Sequence, residues 1–427
     1  MRKICLIITL VTLAASGALT STEFPGLYDA RSAGMGGTGA AYLDSAAAMY
    51  ANPAALDQIG RSVWTLDCST VWSKMQAPMP VVRSSGIGYE PLESEHDIST
   101  VFFIGLAYRV RDWIVVGAGM YPTSGFGVTY KDYQPMPEAL PHLKVDLEAY
   151  LGVMELAFPV SVRIRDNLSV AVMWRPTYFS ETCATPVIDP NTHSFATNSS
   201  GASVGENDLD ISDWNLKGIQ VGVFYQPVPR VRLGFSYRNK LKFKAKGDTD
   251  TINPADGSAI ALDTVVDYAA PHLFRGGVAL MLSDRVLLAA DVKYILYKDS
   301  NEDMTTATTL PGGTQLIDTL ETRWENTVEI ALGGEYELSD RLAVRLGYSN
   351  HNSATPEAYA RALCPSPGTM HTFHTGLGVK AMKDFTVDLG ISYLYLDNTI
   401  TTATDTTNVG RYKSECGVFA LSATYRK

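Results

Sequence analysis

An all-β fold, a 14-stranded antiparallel transmembrane β-barrel with an N-terminal plug in its lumen, is what this sequence of 427 residues predicts. Three observations predict it. Apolar and polar residues alternate with period two from about residue 61 onward. The alternating segments are joined by connections that are long and short in turn. No stretch after residue 18 approaches the roughly 18 to 20 continuous apolar residues that a membrane helix needs.

The chain begins with Arg2 and Lys3 ahead of an apolar run from Ile4 to Ala15, and Ser16-Gly17-Ala18 supplies small residues for cleavage. Residues 1–18 therefore read as a secretory signal, which carries Cys5 away with it. Four cysteines remain, Cys68, Cys183, Cys364 and Cys416. They are too scattered for a disulfide scaffold and lack CxxC metal spacing, so one or two bridges and none at all stay equally open. The formal net charge is −10. It falls to about −12 once Arg2 and Lys3 leave, which argues against nucleic acid as a partner.

Residues 19–60 do not alternate. Within SAGMGGTGAAYLDSAAAMYANPAAL (32–56), Gly34, Gly36 and Gly39 fit G-x-G-x-x-G, the fingerprint of a pyrophosphate-binding loop. Such a loop must follow a strand and open a helix inside a βαβ unit. Here it follows EFPGLYDARSA and no parallel unit comes after, so the glycines are expected to serve close backbone packing instead. Asp44 can cap a short helix through Ser45 to Tyr50, which Pro53 stops. The segment has the small-residue character of a plug folded inside a barrel, its backbone satisfied by lumenal groups.

The alternating segments begin with 61–74, 98–109, 112–121, 147–163 and 167–180. They continue with 215–227, 229–245, 272–282 and 285–298, and end with 324–338, 341–350, 370–381, 384–397 and 413–426. In RVLLAADVKYILY, Val286, Leu288, Ala290, Val292, Tyr294 and Leu296 take one face; Arg285, Asp291 and Lys293 take the other. In WENTVEIALGGEYEL, Trp324, Val328, Ile330, Leu332, Tyr336 and Leu338 share a face and Glu325, Glu329 and Glu335 the opposite one. Carboxylates are costly on the buried face of a soluble sandwich and cheap against a water-filled lumen, which puts lipid outside.

Short connections fall at Val110-Arg111, Arg165-Asp166, Pro227-Val228, Ser283-Asp284, Ser339-Asp340 and Lys383-Asp384. Long ones cover 75–97, 122–146, 181–214, 246–271, 299–323, 351–369 and 398–412. An even strand number with tight turns at one end is the construction of bacterial outer-membrane barrels, and it places both chain ends on the periplasmic side.

The stretch ARSAGMGGTGAAYLDSAAAMYANPAAL, with its glycine-rich opening and Asn52-Pro53-Ala54, resembles the hatch of the FadL/TodX-type outer-membrane transporters of long-chain fatty acids and aromatic hydrocarbons. So do LKGIQVGVFYQPVPRVRLGFSYRNKLKFKAKGD (216–248), PHLFRGGVALMLSDRVLLAADVKYILY (271–297) and RWENTVEIALGGEYELSDRLAVRLGYS (323–349). The resemblance spans nearly the whole mature chain. It implies a hatch (19–60) marked by Gly34, Gly36, Gly39, Asn52, Pro53 and Ala54, inside a barrel (61–427). It further implies passive, ligand-gated diffusion of a hydrophobic molecule with no cofactor. Exit would be sideways into the bilayer, through a gap made by an inward kink of the third strand.

That strand, WIVVGAGMYPTSGFG, carries Gly117, Gly119 and Pro122. Glycine weakens strand packing and proline removes a ladder donor, so Gly117 to Pro122 is the expected kink; alternatively Pro122 starts the long loop. In RVRLGFSYRNKLKFKAKG, Arg232, Arg238, Lys240, Lys242, Lys244 and Lys246 share one parity, and Val231, Leu233, Phe235, Tyr237, Leu241 and Phe243 the other. With the apolar set on lipid, the cations would climb the inner wall and gather fatty-acid carboxylates. Arg238, Lys240 and Lys242 are the leading candidates and Arg345 a further inward cation. The other reading is a solvated strand extension, or a twist that turns lysines toward lipopolysaccharide phosphates. Apolar ligand contacts are expected from Phe24, Leu27 and Tyr28 at the start of the hatch and from Phe126 and Tyr130, with an interfacial girdle as the alternative for these aromatics.

His371 and His374, three apart on a strand, point to opposite faces and do not read as a metal chelate. The Ser, His and Asp of the loops form no pattern that signals an enzyme. The expected partners are a hydrophobic small molecule, outer-membrane lipid and lipopolysaccharide, with the protein a monomer in the outer membrane. Two other readings stand beside this one: a FadL-related barrel that binds protein as a surface assembly or secretion partner, and a general diffusion porin, which would conduct small ions.

Overall fold

A sheet inside a membrane must close on itself, because an unpaired edge there leaves backbone groups with neither water nor partner. The computed structural model describes residues 28–427 except 140, 187, 190–193, 196–205, 253–258, 302, 403 and 405–407. Fourteen antiparallel strands form one closed wall. They are β1 (Ser62–Arg83), β2 (Gly86–Glu93 and Asp97–Arg111), β3 (Ile114–Tyr133), β4 (Val145–Arg165) and β5 (Leu168–Trp174 and Thr177–Pro186). Next come β6 (Glu206–Asn215 and Ile219–Val228), β7 (Val231–Arg238 and Leu241–Ile252), β8 (Ala259–Ala270 and His272–Ser283) and β9 (Val286–Leu296 and Asp303–Thr309). The wall ends with β10 (Gln315–Glu321 and Thr327–Ser339), β11 (Leu342–Asn352), β12 (Thr369–Met382), β13 (Phe385–Ile400) and β14 (Gly410–Arg426). Closure is made by β14 against β1, from Val63↔Arg426 to Gln76↔Lys413.

Two-residue turns at Asp112-Trp113, Asp166-Asn167, Pro229-Arg230, Asp284-Arg285, Asp340-Arg341 and Lys383-Asp384 lie at one end of the wall. The alternation works as expected across the middle. Leu346 is 71% exposed on the outside, while Arg275, Asp291 and Lys293 are at most 2% exposed inside. Apolar outside and charged inside is the arrangement of a wall solvated by lipid. The four cysteines of the described part are free thiols.

Beyond the apolar band the strands depart from a single alternation. Residues 75–97, expected as a loop, continue the ladder from Gln76↔Glu93 to Arg83↔Gly86. In β10 the strand is interrupted between Glu321 and Thr327, so Trp324 is buried and Glu325 exposed, the reverse of the expected faces. The same reversal overturns the cation column of β7, where Lys242, Lys244 and Lys246 are exposed and Leu241, Phe243 and Ala245 buried. The cause lies at Asn239-Lys240. Asn239 Oδ1 accepts the Ile219 N–H at 2.6 Å, its Nδ2 donates to Lys217 O at 3.2 Å, and the Lys240 N–H reaches His272 Nδ1 at 3.2 Å. Side-chain partners there replace ladder bonds, and the bulge swaps the faces of everything above it.

Residues 28–59 fill the lumen, nearly all of them buried. α1 (Ala30–Gly34) is capped by Asp29, whose Oδ1 accepts the Ser32 N–H at 2.9 Å. α2 (Ala48–Ala51) starts at Ala47 with no side-chain cap, so Asp44 does not play the capping part expected of it. Asp44 instead accepts from Arg31 at 3.1 Å and Arg426 at 3.0 Å. Asn52 caps the 3-10 turn Pro53–Gln58, accepting the Ala54 N–H at 3.2 Å, with Pro53 in first position where its missing N–H costs nothing.

The glycines of GMGGTG meet glycines of the wall. Gly34 lies against Gly376, and any Cβ on Gly333 or Gly347 would run into the backbone of Met35 or Gly36. Gly36 and Gly37 adopt φ of 78° and 79°, left-handed values that suit glycine. The Gly39 and Ala40 N–H groups both donate to Asp291 Oδ2, at 2.9 and 3.0 Å. Two backbones thus pack face to face with no side chains between them, and the remaining amides are met by a lumenal carboxylate.

Candidate functional site

The wall is incomplete between β2 and β3. Their ladder runs from Arg111↔Ile114 to Ile104↔Met120 and stops. Among the described residues, β2 then pairs with β1 alone from Asp97 to Phe103, and β3 pairs with β4 alone beyond Met120. The Glu95 N–H to Thr129 O bond, 2.8 Å, reconnects the two strands at the top. Between these points no ladder joins the two strands among the described residues, and residues Thr123 to Tyr130 of β3 are all buried.

The residues named for the kink sit at its base. The β3–β4 register skips past Gly117 and shifts between Pro122 and Ser124. Gly119 has Met49 of α2 where its Cβ would be. Pro122 stands opposite Met154 within the strand rather than opening a loop, and it can do so because no neighbour on the β2 side asks for its N–H.

Below the gap runs a line of rings. Tyr28 and Tyr50 have centroids 3.5 Å apart, Tyr50 meets Tyr121 edge-on at 5.6 Å, and Tyr121 stacks on Phe103 at 5.4 Å. Phe103 is the β2 residue at the lower corner of the gap. The edge-on Tyr50–Tyr121 and stacked Tyr121–Phe103 pairs are favourable ring geometries. The line leads from the lumenal segment to the end of the β2–β3 ladder.

Cations stand over it. Arg238 and Arg275 each place their guanidinium 5.1 Å from the Tyr50 ring, a cation–π arrangement. Arg238 and Arg175 both donate to Glu155 Oε1, and Arg175 Nη2 also donates to Asn239 O at 3.1 Å. Arg275 Nη2 lies 3.4 Å from Tyr28 Oη. Two guanidinium groups thus share one carboxylate, and a third, that of Arg275, shares the Tyr50 ring with Arg238.

Of the four residues expected to meet a carboxylate, only Arg238 is here. Lys240 sits in the bulge with Nζ on Asp299 O, and Lys242 points outward. Arg345 is held by Glu335 at 2.6 Å and Asp388 at 2.8 Å, toward the turn end. Phe126 and Tyr130 are buried with Met75, Met79 and Tyr412 nearer the loop end. Phe24 and Leu27 lie outside the described residues; Tyr28 is in the aromatic line. Arg175, Arg275, Glu155, Tyr50, Tyr121 and Phe103 were not anticipated. Arg275 had a signal, as a lone cation among Leu273, Gly277 and Ala279 on the inward parity of β8. Arg175 had none, since its role depends on a strand break.

One acid above the membrane has a legible pH response. Glu181 lies on β5 beyond the Tyr178–Trp214 ring pair, with a buried Oε2 that has no hydrogen-bond partner among the described residues. Burial pushes its carboxyl up to about 7. An unfolded glutamate titrates near 4.3, so the folded form holds the proton across the interval and loses stability as pH rises from about 4.5 to 7. The extension carrying Glu181 should resist protease better at pH 5 than at pH 8, and Glu181→Gln should remove the difference.

Comparison with known proteins agrees with the fold. Residues 5–426 match the family of outer membrane protein transport proteins described as OMPP1/FadL/TodX. A curated outer membrane protein of Neisseria meningitidis serogroup B is 23% identical over 247 residues, or 52% of this chain. The match spans about half of that relative, 53% of its length. Among solved structures, a Pseudomonas aeruginosa FadL homologue has a TM-score of 0.76 at 17% identity, covering 96% of this chain and 100% of that one. The Pseudomonas putida toluene transporter TodX has a TM-score of 0.70 at 18% identity, over 96% of this chain and 100% of that one.

Proposed function

Because the chain belongs to the OMPP1/FadL/TodX family of outer membrane transport proteins, we propose that it carries apolar small molecules from the cell surface into the outer membrane through the gap between β2 and β3. The observation that carries the reading is the interrupted ladder at Ile104 and Met120, with the Phe103–Tyr121–Tyr50–Tyr28 line behind it. The residues from Tyr28 to Ile59 act as the hatch, which denies the solute a straight way down. A molecule lying on the aromatic line is excluded from water, and the nearest apolar medium is the bilayer core beyond the gap.

The cations select within that class. A long-chain fatty acid would lay its carboxylate against Arg238, Arg275 and Arg175 and its chain along the rings, whereas toluene would use the rings alone. Hydrogen bonds to charged groups contribute about 1.5–3 kcal/mol, so loss of one is about a tenfold effect or more. In cells depending on this protein for uptake, Arg275→Met should lower fatty-acid entry about tenfold and leave toluene entry within about twofold. Equal losses for both solutes would remove the carboxylate from the reading. Phe103→Glu, which puts a charge at the corner of the gap, should lower entry of both; normal uptake of both would mean the solute leaves elsewhere.

A further inference from the structure

The reversal of faces in β7 leaves a basic patch on the outer surface that transport does not use. On the spanning part of the wall, β6 to β8 present Val221, Leu233 and Phe235 to lipid, ending in an aromatic rim. Tyr237 there stacks on His272 at 5.8 Å and packs on Phe274 at 4.9 Å, and Trp214 pairs with Tyr178 at 5.1 Å. Such a rim marks the lipid headgroup level. The next outward residues of β7 beyond it are Lys242, Lys244 and Lys246.

At about 3.3 Å rise per residue the three ammonium groups are spread over about 13 Å of strand. The residues opposite them on β8 are Ala269, Asp267 and Val265, and on β6 Ser212 faces Lys246. Two acids lie beside the three lysines among the described residues: Asp267, 3.8 Å from Lys244 Nζ, and Asp213, whose Oδ2 is taken by the Lys244 backbone N–H at 2.9 Å, and the Lys244 side chain remains 76% exposed. Higher up the sign changes. Asp210, Asp248 and Asp263 stand directly opposite one another on three neighbouring strands, all exposed, with Asp208 and Asp250 beside them.

We propose that this face docks lipopolysaccharide, with Lys242, Lys244 and Lys246 on the phosphates of its lipid A. The charge pattern sets the height of the ligand: the lysines attract phosphate just above the rim, the aspartates repel it farther out, and the apolar wall below takes the acyl chains. Lysines keep a strongly hydrated, mobile point charge, which suits a phosphate that is itself solvated. The inference rests on the barrel's place in the outer membrane and not on the transport reading.

The full chain, purified from outer membranes in detergent, would be titrated with bisphosphorylated lipid A, phosphate-free lipid A and phosphatidylglycerol, and bound lipid counted by native mass spectrometry. A lysine near an anionic surface adds about a fivefold preference, so Lys242→Ser, Lys244→Ser and Lys246→Ser together should weaken bisphosphorylated lipid A about a hundredfold. Wild type should bind phosphate-free lipid A and phosphatidylglycerol as weakly as that variant binds bisphosphorylated lipid A. Asp210→Asn with Asp248→Asn and Asp263→Asn should tighten binding. Unchanged affinity in the lysine variant, or equal affinity of wild type for phosphate-free lipid A, overturns the proposal. Equal affinity for phosphatidylglycerol overturns it too, since the patch would then be a general anion surface. Should the triple variant fail to give the heat-modifiable gel mobility of a folded barrel, Lys244→Ser alone should still show about a fivefold loss, and none would count against the proposal.

Discussion

Replacing Gly347 with leucine is expected to turn a plugged barrel into an ion-conducting one. A side chain at Gly347 would enter the space held by Gly36 N, with the Met35 carbonyl carbon 2.6 Å from its Cβ. These are backbone atoms packed against Gly333 at Met35 and against the Leu332 carbonyl at Gly36, so they cannot yield as the tip of a flexible side chain can. Overpacking of this kind costs about 1–3 kcal/mol or more, and the hatch can escape it by leaving its seat. In planar bilayers the variant should show sustained conductance where wild type shows none, and trypsin should cut at Arg31. Gly276→Leu is the control, because a Cβ at Gly276 meets nothing within 4 Å. A Gly347→Leu barrel that stays closed would mean the hatch is not held by these glycines.

Removing Glu155 should be the most destabilising single change in the lumen. Its side chain and those of Arg175 and Arg238 are all within 5% of full burial. Deleting one partner of a buried ion pair leaves charge with neither water nor counter-ion and costs about 3–5 kcal/mol. Glu155→Leu should therefore lower the urea midpoint for unfolding from lipid vesicles markedly. Adding Arg175→Leu and Arg238→Met should recover most of the loss, because no stranded charge then remains. If Glu155→Leu alone were silent, the arginines would have to be solvated from the lumen.

The barrel was legible because its signal is distributed. Each strand repeats the same alternation, and the tight turns at Asp166-Asn167 or Lys383-Asp384 punctuate it at regular intervals, so local errors do not propagate. The site was less legible because it depends on interruptions. A period-two reading carried through Asn239-Lys240 puts Lys242 inside; one bulge, made by an asparagine side chain that looks like any other, puts it outside. Trp324 went wrong for the same reason. Glycine and proline mark backbone departures in the sequence itself, which is why Gly117 to Pro122 could be singled out, whereas Arg175, Glu155 and Arg238 meet only through strands far apart in the chain.

The way the hatch is tied to the seam constrains how the molecule is made. The Ala30 N–H donates to Ser422 Oγ at 2.6 Å across 392 positions, and Arg426 of the same strand holds Asp44. β14 is also the strand that zips onto β1. Closing the cylinder and seating its stopper thus share a strand, and both join the most distant parts of the chain, a separation that slows folding. Residues 28–59, near the start of the chain, therefore cannot take up their full set of contacts until the last strand of the wall is in place.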